Sequence, residues 1–532
     1  MDLVDVLLLR SRVVVALLAV GLLVASAAEA APARRAGAVA ADHVLASEAG
    51  VALLAAGGNA VDAAVAAALV SGVVQPAGSG LGGGGMAVVV GPGVKTTLDF
   101  REVAPAAATR DMYAARSSTR GGAAVAVPSE GIGLWDLHAR YGRLPARRVA
   151  EAAIRLATDG FDTGPHLAKG LLAAPEMSSL FGAANRRPGL ARALRSWVDT
   201  RGRAFRDGWV AQDLADSATA AGGVLTVADI AAYEVQVRAP IELGWGTRRV
   251  VAMGPPSSGG IALAQLLGVG ARSAHCEVEA AKFVMADRAL RGGDPAFVPP
   301  DLEARLDPAR LRAWSEDCGE RTFPADHYAP TLVEPPRDDG TLHISVMDGA
   351  GWAVALTTTI NTAFGSRVVG RQSGILLNNQ MDDFATRPGV PNAFGLVQGE
   401  NNAVAPGKRP LSSMSPTVVL DADGRPEAVV GGSGGPFIIT ATYQVTRAVL
   451  EGGASASRAV AAPRWHHQWM PDAVLLEAGH PDEAALAAAG HALKPVDPFS
   501  SVQVVVRRTN GFEAASDPRK FGQAACVGWC AP

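Results

Sequence analysis

Apolar and polar positions follow helical spacing through most of the first half of the chain and alternate in the second. Residues 42–56 carry apolar side chains at helical spacing and run into Gly57-Gly58, a pair suited to ending a helix. Residues 59–73 are apolar almost throughout, which predicts a buried helix. A glycine-rich run from Gly78 to Gly85 follows, then a strand-like stretch from Met86 to Val90. Residues 129–160 and 209–233 read as helical, as does 261–268 behind the loop Pro255 to Gly260. Prolines and charges dominate Pro295 to Pro336, which predicts an irregular surface segment.

From Thr341 the texture changes to strands. Leu342, Ile344 and Val346 alternate with His343, Ser345 and Met347, the pattern of a half-buried strand. Asp348 to Gly351 forms a turn, and Trp352 to Ile360 the return strand. Pairing Met347 with Trp352 sets Thr341 opposite Thr358; a one-residue bulge would set Thr359 there instead. Helices early and strands late predict layers around one core rather than two separable domains.

Composition adds few constraints. The 532 residues are 48% hydrophobic with a net charge of −3, which suits a globular protein and gives no reason to expect nucleic acid as partner. Arg10 and Arg12 precede the apolar run Val13 to Val24, and Ala28-Glu29-Ala30 offers a small-residue cleavage site. Residues 1–30 therefore read as an export signal peptide, the run being short against the roughly 20 residues of a spanning helix. Export permits disulfides, and the four cysteines, Cys276, Cys318, Cys526 and Cys530, allow three pairings. Gly78, Gly80 and Gly83 match G-x-G-x-x-G, but here a helix precedes and a strand follows, the reverse of a dinucleotide site. Close backbone packing is the better account of these glycines.

The junction Gly340–Thr341 carries the candidate chemistry. If that bond is cut, Thr341 gains a free α-amino group beside its own hydroxyl, a nucleophile and a base on one residue. An α-amine titrates near ~8, so much of it can act as a base around neutral pH. His343 is not needed for this: it lies on the opposite face of the strand from Leu342 with no acid paired to it, and a structural role suits it better.

The residues around the junction resemble the gamma-glutamyltransferases (gamma-glutamyltranspeptidases). The likeness runs through Thr341 to Asp348, Thr357 to Gly365, Ser373 to Phe384, Lys408 to Pro416, Gly434-Gly435, Arg464 to Gln468 and Ser516 to Arg519. Earlier in the chain Gly57 to Ala64, the glycine run, Phe100 to Pro105 and Pro255 to Gly260 match in the same order. The resemblance implies an α+β fold, a four-layer αββα sandwich of the N-terminal-nucleophile hydrolase type. It also implies a precursor that cuts itself into a large subunit, 31–340, and a small subunit, 341–532. The implied activity is gamma-glutamyl transfer or glutathione hydrolysis through an acyl-enzyme on Thr341, with water, amino acids or dipeptides as acceptors and no cofactor or metal.

Roles follow by the same resemblance. The N–H groups of Gly434 and Gly435 would hold the oxyanion, and Thr359 would hydrogen-bond the nucleophile. Arg101 would grip the substrate α-carboxylate with help from Ser412 and Ser413, while Asp383, Gln380 and Asn361 would accept from the α-ammonium. The chain departs from the family at Leu342, where a small or hydroxyl residue is common, and at Pro436 and Phe437, where polar residues are frequent. Phe394 stands where some members carry Tyr, within a loop, Pro391 to Pro410, whose presence favours gamma-glutamyl substrates over those of the related beta-lactam acylases. Two alternatives are such an acylase and an unprocessed relative that only binds gamma-glutamyl compounds.

Overall fold

Leu342–Asp348 and Ala353–Thr359 pair as an antiparallel hairpin at the centre of a seven-stranded sheet. The computed structural model that shows this describes residues 36–316, 318–329, 340–386 and 398–531. The expected signal peptide, Asp338-Asp339 and Phe394 lie outside the described residues. Gly37–Ala41 and Gly84–Gly91 flank the hairpin, followed outward by Ala525–Val527 on one side and Val94–Phe100 and Gln236–Arg238 on the other. A six-stranded antiparallel sheet runs Gly511–Ser516, Ser501–Arg508, Pro426–Ser433, Thr417–Leu420, Arg248–Ala252, Ile241–Trp245.

The sheets meet across a shared core in which Met86, Val88 and Met347 of the first touch a cluster with Val418, Val429 and Val505 of the second. Alternate residues on the same strands, Ala87, Val89, Ile344 and Val346, face the other way into a second core with helices Val44–Ala55 and Ala60–Val74. The second sheet likewise turns Val250, Val419, Val430 and Val504 toward helices Gly259–Val269, Ala274–Arg291 and Phe437–Leu450. This is a mixed α+β fold with one set of connected cores. Among the described residues no helix is long and apolar enough to cross a membrane.

The almost wholly apolar segment forms the helix Ala60–Val74, every residue of which is buried. Asn59 starts it with a capping box: its side chain accepts from the Asp62 N–H at 3.1 Å, and its own N–H donates to the Asp62 carboxylate at 2.9 Å.

Three expectations are corrected. The hairpin pairs Met347 with Ala353, not Trp352, which shifts the register by one residue without a bulge. The Asp348 carboxylate accepts from the N–H groups of Ala350 (2.8 Å) and Trp352 (2.9 Å), and this side-chain-closed turn absorbs Trp352. The segment from Pro295 is not irregular throughout: Pro308–Glu316 is helical, and its Leu311 is fully buried. Nor are strands confined to the second half. Gly37–Ala41 and Gly84–Gly91 are buried on both faces and Gln236–Arg238 is very short, so these lack the alternation that announces a strand. Of the three cysteine pairings the structure has Cys276–Cys318 and Cys526–Cys530.

Candidate active site

The glycine run brings backbone against the open end of the hairpin. A Cβ on Gly83 would lie 2.0 Å from the Thr359 carbonyl oxygen, and one on Gly82 would lie 2.2 Å from that of Leu376. No other residue fits such contacts. The carbonyl of Gly78 then accepts from both strand ends, from Thr341 N–H at 3.1 Å and from Ile360 N–H at 3.3 Å.

Thr341 sits there buried, with φ at +72°. For a β-branched residue this left-handed conformation is strained, at a cost of roughly 1–3 kcal/mol. The torsion is defined through the Gly340–Thr341 bond, so breaking that bond releases the constraint. Gly340 is equally confined, since a Cβ on it would stand 1.7 Å from the Asn361 carbonyl oxygen.

Thr341 Oγ1 and Thr359 Oγ1 are 2.9 Å apart. Thr359 Oγ1 also accepts the Asn361 N–H at 2.8 Å, which leaves the Thr359 proton for Thr341. The pairing of Met347 with Ala353 is what sets Thr359, rather than Thr358, at this position; Thr358 turns its hydroxyl to Ser79 at 2.5 Å.

Arg101, Asn361, Gln380, Asp383, Ser412, Ser413 and Gly435 line the same cleft as the two threonines. Arg101 is buried and its guanidinium donates to the Asp383 carboxylate and, at 3.3 Å, to the carbonyls of Pro410 and Leu411. Gln380 Nε2 donates to the same Asp383 oxygen at 2.7 Å. Asn361 Nδ2 donates to the Asn379 carbonyl at 3.0 Å, which turns its amide oxygen away from that contact. Glu102 lies 3.8 Å from Arg101, and burial pushes its carboxyl up to about 8, so it is mostly protonated at neutral pH. Asp383 is thus the carboxylate that Arg101 contacts directly.

Gly434 and Gly435 end the strand Pro426–Ser433 and lead into the helix Phe437–Leu450, with φ of +117° and +58°. Among the described residues neither of their N–H groups donates to a protein acceptor. Two such unpaired donors just before a helix N-terminus, Gly434 buried and Gly435 half-buried, are a ready site for developing negative charge. Gly434 stands just behind the cleft lining, with Ser500 Cα 2.9 Å from where its Cβ would be.

His343 is outside the cleft, between the sheets. Its Nδ1 is 2.7 Å from Thr357 Oγ1 and its Nε2 3.1 Å from Ser345 Oγ, and burial pushes its pKa down to about 3. It is neutral at any working pH.

Two residues that sequence reasoning did not single out belong to the neighbourhood. Arg288 donates to Ser258 Oγ at 2.8 Å and to Ser413 Oγ at 3.2 Å from the buried face of the helix Ala274–Arg291. A charge in line with the apolar positions of that helix was the available signal. Lys520 donates to the carbonyls of Gly340 and Thr341, and nothing in its local sequence points there.

The sequence model of the family described as Gamma-glutamyltranspeptidase matches residues 46–527. The chain belongs to this family. It is similar to the glutathione hydrolase proenzyme of Escherichia coli (strain K12), 37% identical over 91% of this chain and 90% of that protein. To glutathione hydrolase 2 of Arabidopsis thaliana it is 35% identical, over 91% and 93% of the two chains. Among solved structures, the cephalosporin acylase from Bacillus halodurans superposes with a TM-score of 0.81 at 26% identity, over 93% of this chain and 96% of that one. Matches of this extent place every residue of the cleft inside the family region.

Proposed function

We propose that the chain is an exported precursor that cuts itself at Gly340–Thr341 and then works as a gamma-glutamyltransferase and glutathione hydrolase. The observation that carries this reading is the hydroxyl pair Thr341–Thr359, 2.9 Å apart, held at a strained Gly–Thr bond beside an opposed Arg101–Asp383 pair. A gamma-glutamyl head is a zwitterion with its α-carboxylate and α-ammonium on one carbon. Arg101 and Asp383 hydrogen-bond each other across the cleft; the substrate exchanges that contact for two, carboxylate on Arg101 and ammonium on Asp383. Ser412 and Ser413 add donors to the carboxylate, and Gln380 and Asn361 add amide oxygens to the ammonium.

With the head fixed, the substrate's γ-carbonyl faces Thr341 Oγ. The freed Thr341 amine takes the hydroxyl proton as Oγ adds to the carbonyl carbon, and the N–H groups of Gly434 and Gly435 receive the charge on oxygen. Collapse returns the proton to the leaving amine and leaves a gamma-glutamyl ester on Thr341. Water or an acceptor amine then reverses the sequence. The contact order of helices, sheet, sheet and helices described above supports a four-layer αββα sandwich whose subunits are 31–340 and 341–532 after a signal peptide of 1–30.

The cephalosporin acylase likeness supports the fold, whereas the closer sequence likeness is to glutathione hydrolases. The charged pair also suits a free amino-acid head better than an apolar acyl group. A denaturing gel with N-terminal sequencing tests the reading: the active protein yields a 192-residue fragment beginning at Thr341 and a larger one beginning near Ala31. A persistent full-length band with gamma-glutamyl-anilide turnover equal in Thr341→Ala would refute it.

A further inference from the structure

Lys520 reaches the scissile bond from the far end of the chain. Its Nζ donates to the Gly340 carbonyl at 3.4 Å and to the Thr341 carbonyl at 2.7 Å, and the side chain is buried. The turn Pro518–Lys520 that presents it is held from behind. Asp517 accepts from Arg519 N–H at 3.0 Å and from Val502 N–H at 3.1 Å, and it pairs with buried Arg464 at 2.5 Å. The nearby carboxylate of Asp42 is engaged by His343 N–H, Ser501 Oγ and Gln503 Nε2 at 2.8–2.9 Å, and Lys520 opposes the upward push that burial gives it. An ammonium thus sits against the Thr341 carbonyl and within reach of the Gly340 carbonyl, whose oxygen must become negative if the chain cuts itself.

We infer that Lys520 is a dedicated oxyanion donor for self-cleavage, acting on the Gly340 carbonyl and separate from the Gly434–Gly435 pair. The inference rests on the reading of Thr341 as the processing nucleophile. Thr341 Oγ adds to the Gly340 carbonyl carbon, and the C=O electron pair moves onto the oxygen facing Lys520. The C–N bond then breaks, the Thr341 nitrogen takes the proton that left Oγ, and Gly340 remains as an ester on Thr341 Oγ. Water hydrolyses that ester to the Gly340 carboxylate and a free Thr341. As the carbonyl carbon becomes tetrahedral its oxygen gains charge, so a contact of 3.4 Å in the resting amide strengthens where it lowers the barrier. The amide groups of Gly434 and Gly435 remain for substrate acyl transfer, so one site carries two oxyanion devices used at different times.

The test follows conversion of the full-length precursor on denaturing gels. Lys520→Met is expected to slow conversion by on the order of 10²-fold, the usual loss for one such donor. A merely structural role is checked in the uncleavable Thr341→Ala background. There, adding Lys520→Met removes the charge opposite Asp42 and should lower the melting temperature while the chain still melts in one cooperative step, so that slow cleavage is read in a folded chain. Chemical rescue tests the charge itself. All four native cysteines are in disulfides, and Lys520 lines two surface cavities, so Lys520→Cys offers a single reachable thiol. Treatment of that variant with 2-bromoethylamine restores an ammonium at lysine length and should restore cleavage, which also decides the matter if Lys520→Met fails to fold. Conversion of Lys520→Met at the wild-type rate, or no recovery after aminoethylation, overturns the inference alone. An uncleaved wild-type chain overturns the reading of Thr341 and this inference with it.

Discussion

Leu342 fills the space that Gly78 leaves open: its Cγ and Cδ2 lie 3.0 Å from where a Cβ on residue 78 would sit. Gly78 is also the residue whose carbonyl holds the Thr341 N–H. A leucine after the nucleophile, unusual by resemblance to the family, is therefore accommodated by a glycine rather than by displacement of Thr341. Gly78→Ala should push on this packed leucine, destabilise the precursor by about 1–3 kcal/mol and slow its cleavage. Leu342→Ala added to Gly78→Ala should recover part of the cleavage rate, because the clash is gone. Thermal melts with a time course on gels check both; an unslowed Gly78→Ala chain would contradict the packing argument.

Thr359 acts on the nucleophile through one hydrogen bond, so its removal should cost about that much. Thr359→Val keeps the shape and loses the hydroxyl; a loss of about 1 kcal/mol, or several-fold in kcat/KM, is the minimum expected. Thr359→Ser keeps the 2.9 Å contact within reach and should retain most activity. Steady-state turnover of a gamma-glutamyl-anilide by fully processed protein measures this apart from any effect on cleavage. Equal kcat/KM for Val and Thr would remove Thr359 from the mechanism.

The hairpin shows what sequence could and could not tell. Alternation from Leu342 to Met347 made the first strand legible, but the half-buried strand it predicts is in fact buried on both faces, because His343 and Ser345 lie between the two sheets. The register was not legible, since the turn is closed by a side chain, the Asp348 carboxylate, and a count of turn residues misses that. The cleft residues were legible only through the family likeness: Arg101 and Asp383 are 282 positions apart and nothing local pairs them. Lys520 and Arg288 were missed for the same reason. Their partners are two backbone carbonyls and two buried serines, and such partners leave no charge pattern in the sequence.

Arg101 and Asp383 bind the part of the substrate that does not react, so their loss should appear in KM more than in kcat. Arg101→Lys preserves the charge but not the fork, and KM for a gamma-glutamyl-anilide should rise on the order of tenfold. Asp383→Asn leaves the buried Arg101 without its anion and should weaken binding further, within the 2–5 kcal/mol seen when one member of such a pair is truncated. An analogue lacking the α-amino group separates the roles. It should lose the difference between wild type and Asp383→Asn while keeping the difference between wild type and Arg101→Lys. If both variants lower kcat with KM unchanged, the cradle does not hold the head.

Glu102 makes stability depend on pH in a predictable direction. It is fully buried, neither carboxylate oxygen has a hydrogen-bond partner among the described residues, and burial raises its pKa from 4.5 to about 8. Between those values the folded chain holds a proton that the unfolded chain has released, so its contribution falls as pH rises. That contribution is fully present below pH 4.5 and lost as pH approaches about 8. Glu102→Gln has nearly the same shape and no proton to lose, so its melting temperature should gain on wild type as pH rises from about 5 to about 8.5. Glu130, raised to about 8 chiefly by its own burial and in smallest part by Glu102, should shift down in the variant, which adds to the difference in the same direction. A melting-temperature difference that stays constant across this range would show that Glu102 is already charged in the folded protein.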